Sequence, residues 1–198
     1  MVKRKLVVST GNKHKITEIR EILDDLKIEV ISKNDIGFKN FDVVEDGETL
    51  EANSIIKARA LAEKLDYIVI ADDTGLFVNA LNGEPGVYSS RYAGEEGNDK
   101  KNCEKLLKNL EGIEDRSAYF KTVIALITEN KDLLIAEGIC KGMIIKEGRG
   151  ENGFGYDPIF VPDGYELTFA ELGHDVKNRI SHRALALEEL KNILEKLL

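Results

Sequence analysis

The stretch KLVVSTGNKHKITEIREILDDLKIEVIS, Lys5–Ser32, decides the fold. Lys5 to Thr10 reads as a buried strand, Gly11-Asn12 breaks it, and Ile16, Ile19, Ile22, Leu23 and Leu26 then recur at helical spacing. Lys27 to Ser32 is a second strand, so the opening reads as a βαβ unit, with parallel pairing left open by the pattern alone.

Working outward, a polar loop from Lys33 to Glu48 carries the acidic run Glu45-Asp46-Gly47-Glu48 and ends at Thr49, an N-cap for an apolar-periodic helix from Leu50 to Leu65. The short apolar run Tyr67 to Ala71 reads as an interior strand that delivers Asp72-Asp73 at its carboxyl end, the edge where ligand sites of α/β sheets gather. The turn Asn82-Gly-Glu-Pro-Gly86 follows, then a helix from Asp99 to Leu110. Two β-rich runs, Tyr119 to Thr128 and Leu133 to Lys146, predict an antiparallel hairpin, hence a mixed sheet and a second lobe. Glycines 148, 150, 153 and 155 precede a strand at Pro158 to Val161. A last helix, Ser181 to Leu198, turns Leu185, Leu187, Leu190, Ile193, Leu194 and Leu197 to its apolar side.

Composition narrows the partners. The 198 residues carry 28 Lys+Arg against 36 Asp+Glu, a formal net charge of -8, with no block of five like charges, which argues against a polyanion-coating protein and against long nucleic acid. A small anionic substrate stays compatible if lysines and arginines cluster locally. Cys103 and Cys140 form no C-x-x-C pair and read as structural thiols in a reducing compartment. Met1-Val2-Lys3-Arg4-Lys5 leads into only three apolar residues, Leu6 to Val8, too few for a signal or a membrane span, so the expectation is a cytoplasmic protein with no membrane partner.

Several constellations could carry chemistry. Adjacent carboxylates at the end of a buried strand need compensation, so Asp72-Asp73 with Glu45 suggests a divalent cation, Mg²⁺ by its taste for oxygen ligands; a bare pair could equally cap a turn and face solvent. The turn Thr10-Gly11-Asn12-Lys13-His14-Lys15 puts two lysines at a helix N-terminus suited to phosphate, although it is no Walker loop and could be a plain connection. Gly153-Phe154-Gly155-Tyr156-Asp157 offers close backbone approach, an aromatic face and an acceptor. Lys177-Asn-Arg-Ile-Ser-His182-Arg183 sets cations at or just before a helix start, where they oppose the dipole unless an anion or a carbonyl oxygen faces them. His14, His174 and His182 have no zinc spacing, and Ser89 and Ser90 lack a nucleophile elbow.

Taken together, Thr10 to Lys15, Val44 to Leu50 with Asn53 and Lys57, Ile70 to Leu76, Leu81 to Tyr92, Gly153 to Phe160 and Lys177 to Arg183 are six ordered blocks. They resemble the inosine/xanthosine triphosphate pyrophosphatases, the non-canonical purine NTP pyrophosphatases or XTP/dITP diphosphatases, almost end to end. The resemblance implies one α/β domain over 1–198, an elongated two-lobed fold around a long mixed sheet flanked by helices, with the active-site cleft between the lobes. It also implies a homodimer, Mg²⁺, and hydrolysis of ITP, dITP and XTP to monophosphate and pyrophosphate, which removes deaminated purines from the precursor pool.

Position by position, the resemblance makes Asp73 the catalytic carboxylate and a metal ligand, Asp72 its supporting neighbour, and Lys57 a triphosphate contact. Thr74 falls on a substrate-contacting serine position, and Thr10, Gly11, Asn12, Lys13, His14 and Lys15 on the phosphate loop. Phe154, Gly155, Tyr156, Asp157 and Lys177 fall on nucleoside contacts, and His182 and Arg183 on the base-reading pair. Glu45 is the second metal ligand; here Val44 precedes it and Asp46 replaces a Thr, so another acid of the 45–51 loop is an alternative. The loop from Asn82 to Tyr92 is the candidate dimer contact. Two other classes stay open: a Maf-like or other pyrophosphatase for modified or pyrimidine nucleotides, and a non-catalytic purine nucleotide sensor.

Overall fold

A computed structural model describes residues 4–95 and 97–197. Met1 to Lys3, the first residues of the short charged N-terminus, and Leu198, the expected end of the last helix, lie outside the described residues, as does Glu96.

In chain order the elements are β1 (Arg4–Val8), α1 (Lys13–Ile22), β2 (Ile28–Ser32), α2 (Leu50–Ala62), β3 (Ile68–Val78), β4 (Pro85–Gly86), α3 (Asp99–Asn109), β5 (Ser117–Ile127), β6 (Leu133–Ile144), β7 (Phe160–Pro162), α4 (Phe169–Leu172), α5 (His174–Ile180) and α6 (His182–Leu197). The strands are hydrogen-bonded in the order β2-β1-β3-β5-β6-β7, with β4 on β3. β1 pairs in parallel with both β2 and β3, so the opening is a βαβ unit. The pairs β3–β4 and β6–β7 are antiparallel, which makes the sheet mixed. The described chain forms two compact units, the first from residues up to 73, 122–138 and 183 onward, the second from 74–121 and 139–182.

In the first unit the parallel strands are covered on both faces, as their unbroken apolar sequence requires. Leu6, Val8, Ile68 and Ile70 pack against Ile19 of α1, Leu23 just beyond its end, and Leu187, Leu190 and Leu194 of α6. Val7, Val69 and Ala71 turn the other way, onto Ala58, Leu61 and Ala62 of α2. Even-numbered residues of β3 therefore face α1 and α6, and odd-numbered ones face α2. α6 is narrower in its apolar contact than its leucines suggest, for Leu185 and Leu197 are exposed. α2 stops at Ala62 rather than Leu65, where Lys131 Nζ donates to the carbonyls of Ala62 (2.7 Å) and Leu65 (2.9 Å).

β3 is longer than the sequence predicts. Its pairing with β1 ends at Ile70, whose carbonyl takes the Ser9 N–H (2.7 Å), yet the strand runs on because Leu76 and Phe77 pair with Gly86 and Pro85 of β4. Gly75 permits that pairing: a Cβ there would lie 2.5 Å from the Gly86 carbonyl oxygen. Asp72 and Asp73 are consequently inside a strand, just beyond the point where its neighbour stops.

The second unit is built around Phe120, Phe160 and Phe169, with Leu76, Val78, Leu106 and Leu110 packed on them. The expected strand Pro158 to Val161 is a short 3₁₀ turn (Asp157–Ile159) followed by β7, because Pro158 has no N–H for a ladder. The antiparallel hairpin turns at Thr128–Asp132, where Thr128 N–H donates to Asp132 O (3.0 Å).

Candidate active site

Strand alternation separates the two aspartates. Asp72, even-numbered, points toward α1 and α6; Asp73, odd-numbered, points toward α2. In the first direction Asp72 Oδ2 receives Lys15 Nζ at 2.9 Å and Arg183 Nε and Nη2 at 3.3 Å each. Arg183 Nη1 donates at 2.5 Å to Glu18 Oε2, and Glu18, Asp72 and Arg183 are all buried. Burial alone would raise the Asp72 carboxyl; Lys15 and Arg183 outweigh it and hold the group well below the usual carboxylate range. Lys15, also deep, is lowered by burial, against the pull of Asp72.

In the other direction Lys57, on α2, donates to Glu45 Oε2 at 2.9 Å and to Asp73 Oδ1 at 3.0 Å. Burial would lower Lys57, but Asp73 and Glu45 raise it above its ordinary value. Burial raises the Asp73 carboxyl, with Lys57 and Lys15 offsetting part of that. The acidic loop is held by α2 itself: Gly47 N–H donates to Asn53 Oδ1 (2.8 Å), and Thr49 Oγ1 caps the helix by accepting Ala52 N–H (3.1 Å). Gly47 is required at that contact, since a Cβ would stand 2.6 Å from Asn53 Oδ1.

Glu45 and Asp73 meet on one ammonium, at 2.9 and 3.0 Å, and a pair of carboxylates gathered round one cation is the all-oxygen chemistry that suits Mg²⁺. Among the described residues no group of three or more His, Cys, Asp or Glu side chains that could hold a metal gathers. A Mg²⁺ shell there would be completed by waters and phosphate oxygens, the habit of this ion. Asp72 belongs to the opposite face and is a counterion for Lys15 and Arg183.

The phosphate-loop candidates lie at the start of α1. Asn12 Oδ1 accepts the N–H groups of His14 (2.9 Å) and Lys15 (3.3 Å), and Thr10 Oγ1 accepts that of Asn12 (3.1 Å). Two of the helix's four free N–H groups are thus taken by the cap. Gly11, Lys13 and His14 are exposed, while Lys15 turns inward to Asp72.

The remaining candidates fall in the second unit. Gly153 has φ +82°, and a Cβ there would stand 2.1 Å from Asp157 Oδ2, so the loop needs glycine. Asp157 is buried; its Oδ2 accepts Phe154 N–H (2.9 Å) and Lys177 Nζ (2.6 Å), and that ammonium lies 4.5 Å from the Phe154 ring centroid. Gly155 N–H donates to Asp99 Oδ2 (2.6 Å), and Tyr156 OH donates to Ser89 O (2.8 Å), which keeps the Tyr156 ring in the core. His182 stacks on Phe120, centroids 4.5 Å apart. Thr74 is half-buried in β3. Burial raises both cysteine thiols to about 12, so neither is a thiolate at neutral pH.

Two expectations change in detail. The basic run is split: Lys177 and Arg179 lie in the last turn of α5, where cations suit the dipole, and only His182 and Arg183 open α6. The anion that Arg183 calls for is supplied by the chain itself, as Asp72 and Glu18. Sequence reasoning gave no role to Glu18 or Asp99. Glu18 left one signal, its i,i+3 spacing from Lys15 within an otherwise apolar helix face.

The Ham1 family model matches residues 6–193. A dITP/XTP pyrophosphatase of Thermoanaerobacter pseudethanolicus is 52% identical over 194 residues, 97% of each chain. Two solved structures match with TM-scores of 0.89: the Ham1 protein of Staphylococcus aureus, 42% identical over 98% of this chain and 100% of that one, and a HAM1 protein from Coxiella burnetii, 44% identical over 98% and 99%.

Proposed function

The chain belongs to the Ham1 family, and from that premise we propose that it is a nucleoside triphosphate pyrophosphatase acting on dITP, XTP and ITP, giving the monophosphate and pyrophosphate. The observation that carries the reading is the cluster in which one ammonium, Lys57, faces two carboxylates, Glu45 and Asp73. That grouping supplies oxygen ligands for Mg²⁺, a carboxylate for a water molecule and a cation for phosphate.

In this reading Glu45 and Asp73 would hold Mg²⁺, which would supply charge withdrawal from the phosphates and a more acidic water molecule. Asp73 orients the attacking water and takes its proton; burial shifts its carboxyl upward, which makes it a better base than an ordinary aspartate. Lys57 and the exposed Lys13 neutralise phosphate oxygens as pyrophosphate departs. Lys15 and Arg183 act through Asp72, fixing the stretch of β3 on which Asp73 rides. Thr74 takes a substrate hydrogen bond. The nucleoside contacts go to Phe154, Gly155, Tyr156 and Asp157, with Lys177 and His182 as donors. A purine with oxygen at C6 accepts where adenine donates, so such donors favour the deaminated bases, a mismatch worth about 10⁴-fold in a polar site.

The protein in this account works on free nucleotides in the cytoplasm as a homodimer. None of the helices among the described residues is long and apolar enough to cross a membrane. The test is pyrophosphate release from dITP, XTP, ITP, GTP, ATP, dTTP and CTP at equal concentration, with Mg²⁺ and with EDTA. Mg²⁺-dependent release confined to the first three supports the reading. Pyrimidine turnover would move the chain to another pyrophosphatase class, and binding without turnover would make it a sensor.

A further inference from the structure

Lys57 holds two carboxylates at once, at 2.9 and 3.0 Å, and all three side chains are largely shielded from water, with 15%, 30% and 15% of their surface left to Lys57, Glu45 and Asp73. Two carboxylates this close repel each other unless a cation stands between them, and here the cation is the ammonium. A divalent ion drawing on the same carboxylates meets a like charge already in place. In a partly buried setting such a repulsion costs at least a factor of about ten in affinity.

No other lysine identified at the site can take over this task. Lys15 serves Asp72 on the opposite face of β3. The backbone of Lys57 is fixed, its carbonyl accepting Ser9 Oγ at 3.3 Å, while its four-carbon stem lets the head move. We infer that Lys57 is an exchangeable counterion: without nucleotide it holds Glu45 and Asp73 together and opposes divalent-cation binding, and with a Mg²⁺–triphosphate present it leaves them for the phosphate oxygens. Each charge then keeps a partner, because the incoming cation takes the carboxylates and the incoming anion takes the ammonium. This coupling makes the bare protein a poor Mg²⁺ binder and the nucleotide complex a good one. The inference rests on the assignment of Glu45 and Asp73 as metal ligands.

The experiment is calorimetric titration of the full chain with MgCl₂ in the absence of nucleotide. Lys57→Met is expected to bind Mg²⁺ at least about tenfold tighter than the wild type, Lys57→Arg to remain as weak as the wild type, and Asp73→Asn to lose the binding in either background. Lys57→Met is also expected to bind a non-hydrolysable imidotriphosphate more weakly. Thermal melts give an independent reading: Mg²⁺ should raise the Tm of Lys57→Met, and of Lys57→Gln if the first variant folds poorly, by more than it raises that of the wild type. Equal or weaker Mg²⁺ affinity in Lys57→Met overturns the exchange. Pyrophosphate release by the same wild-type preparation separates the two failures: Mg²⁺-dependent release without tightening in the variant sinks only the exchange, whereas no release at all sinks the pyrophosphatase reading.

Discussion

Asp72 and Asp73 are neighbours in sequence whose carboxylates answer to different cations on opposite faces of one strand. Asp72 takes Lys15 and Arg183, and Asp73 takes Lys57. A pair that looks like one chelating unit is therefore two units, and under the proposed function only the Asp73 half carries chemistry.

The chemical half is tested by Asp73→Asn. Turnover of XTP is expected to fall by about 10²–10⁴-fold, the usual contribution of a positioned general base. The fold should survive. Because the native Asp73 carboxyl is shifted upward, ionising it costs stability as pH rises from the unfolded value through the folded one, so at pH 7 the variant should melt no lower than the wild type. Near wild-type turnover would remove Asp73 from the mechanism.

Asp72→Asn should behave in the opposite way. The native carboxyl is held below its unfolded value by Lys15 and Arg183, so its contribution to stability is present above about pH 4 and is lost as pH falls toward the folded value. At pH 7 the variant, which leaves the buried Arg183 and the part-buried Lys15 short of an anion, should lose about 3–5 kcal/mol in urea unfolding. The gap should narrow below about pH 4. A gap that stays constant down to the most acidic condition tolerated would contradict the ion-pair origin.

Arg183→Ala leaves Glu18 and Asp72 buried without their guanidinium. A loss of about 3–5 kcal/mol is expected, with part recovered by Arg183→Lys, which keeps the charge but not the fork that reaches both acids. Denaturant midpoints of the three proteins decide it. A change in the ratio of kcat/KM for ITP over ATP at unchanged stability would instead return Arg183 to base reading.

Gly153→Ala sets a methyl group against Asp157 Oδ2 at a left-handed backbone position. Strain of about 1–3 kcal/mol is expected, and with it a shift of the Phe154 to Asp157 loop. KM for XTP should rise severalfold while kcat changes less, because the cluster around Asp73 is untouched. A fall in kcat alone would disconnect this loop from nucleoside binding.

Much of the scaffold is legible in local pattern. The apolar run Leu6 to Val8, the break at Gly11-Asn12 and the periodic isoleucines specify a βαβ start, and Thr49 marks the beginning of α2 before any contact is known. The sequence reading ends this strand at Ala71, where the apolar run stops, whereas β3 continues to Val78. Two carboxylates, a threonine and a glycine carry no strand pattern of their own, and only the close approach of Gly86 to Gly75 shows why the strand continues through them.

By itself the sequence determined the βαβ opening and the set of polar residues from which a site could be drawn; that Asp72 and Asp73 lie inside β3, and so point apart, was decided by the tertiary structure. Which cation each carboxylate receives was decided only by the tertiary structure. Asp72 meets Arg183 across 111 positions and Glu18 meets the same guanidinium across 165. No local propensity encodes such distances. Those pairings exist because α1 and α6 cover one face of β3 and α2 covers the other, and a charge enclosed by a packed core must find its partner among whatever side chains the packing brings to it.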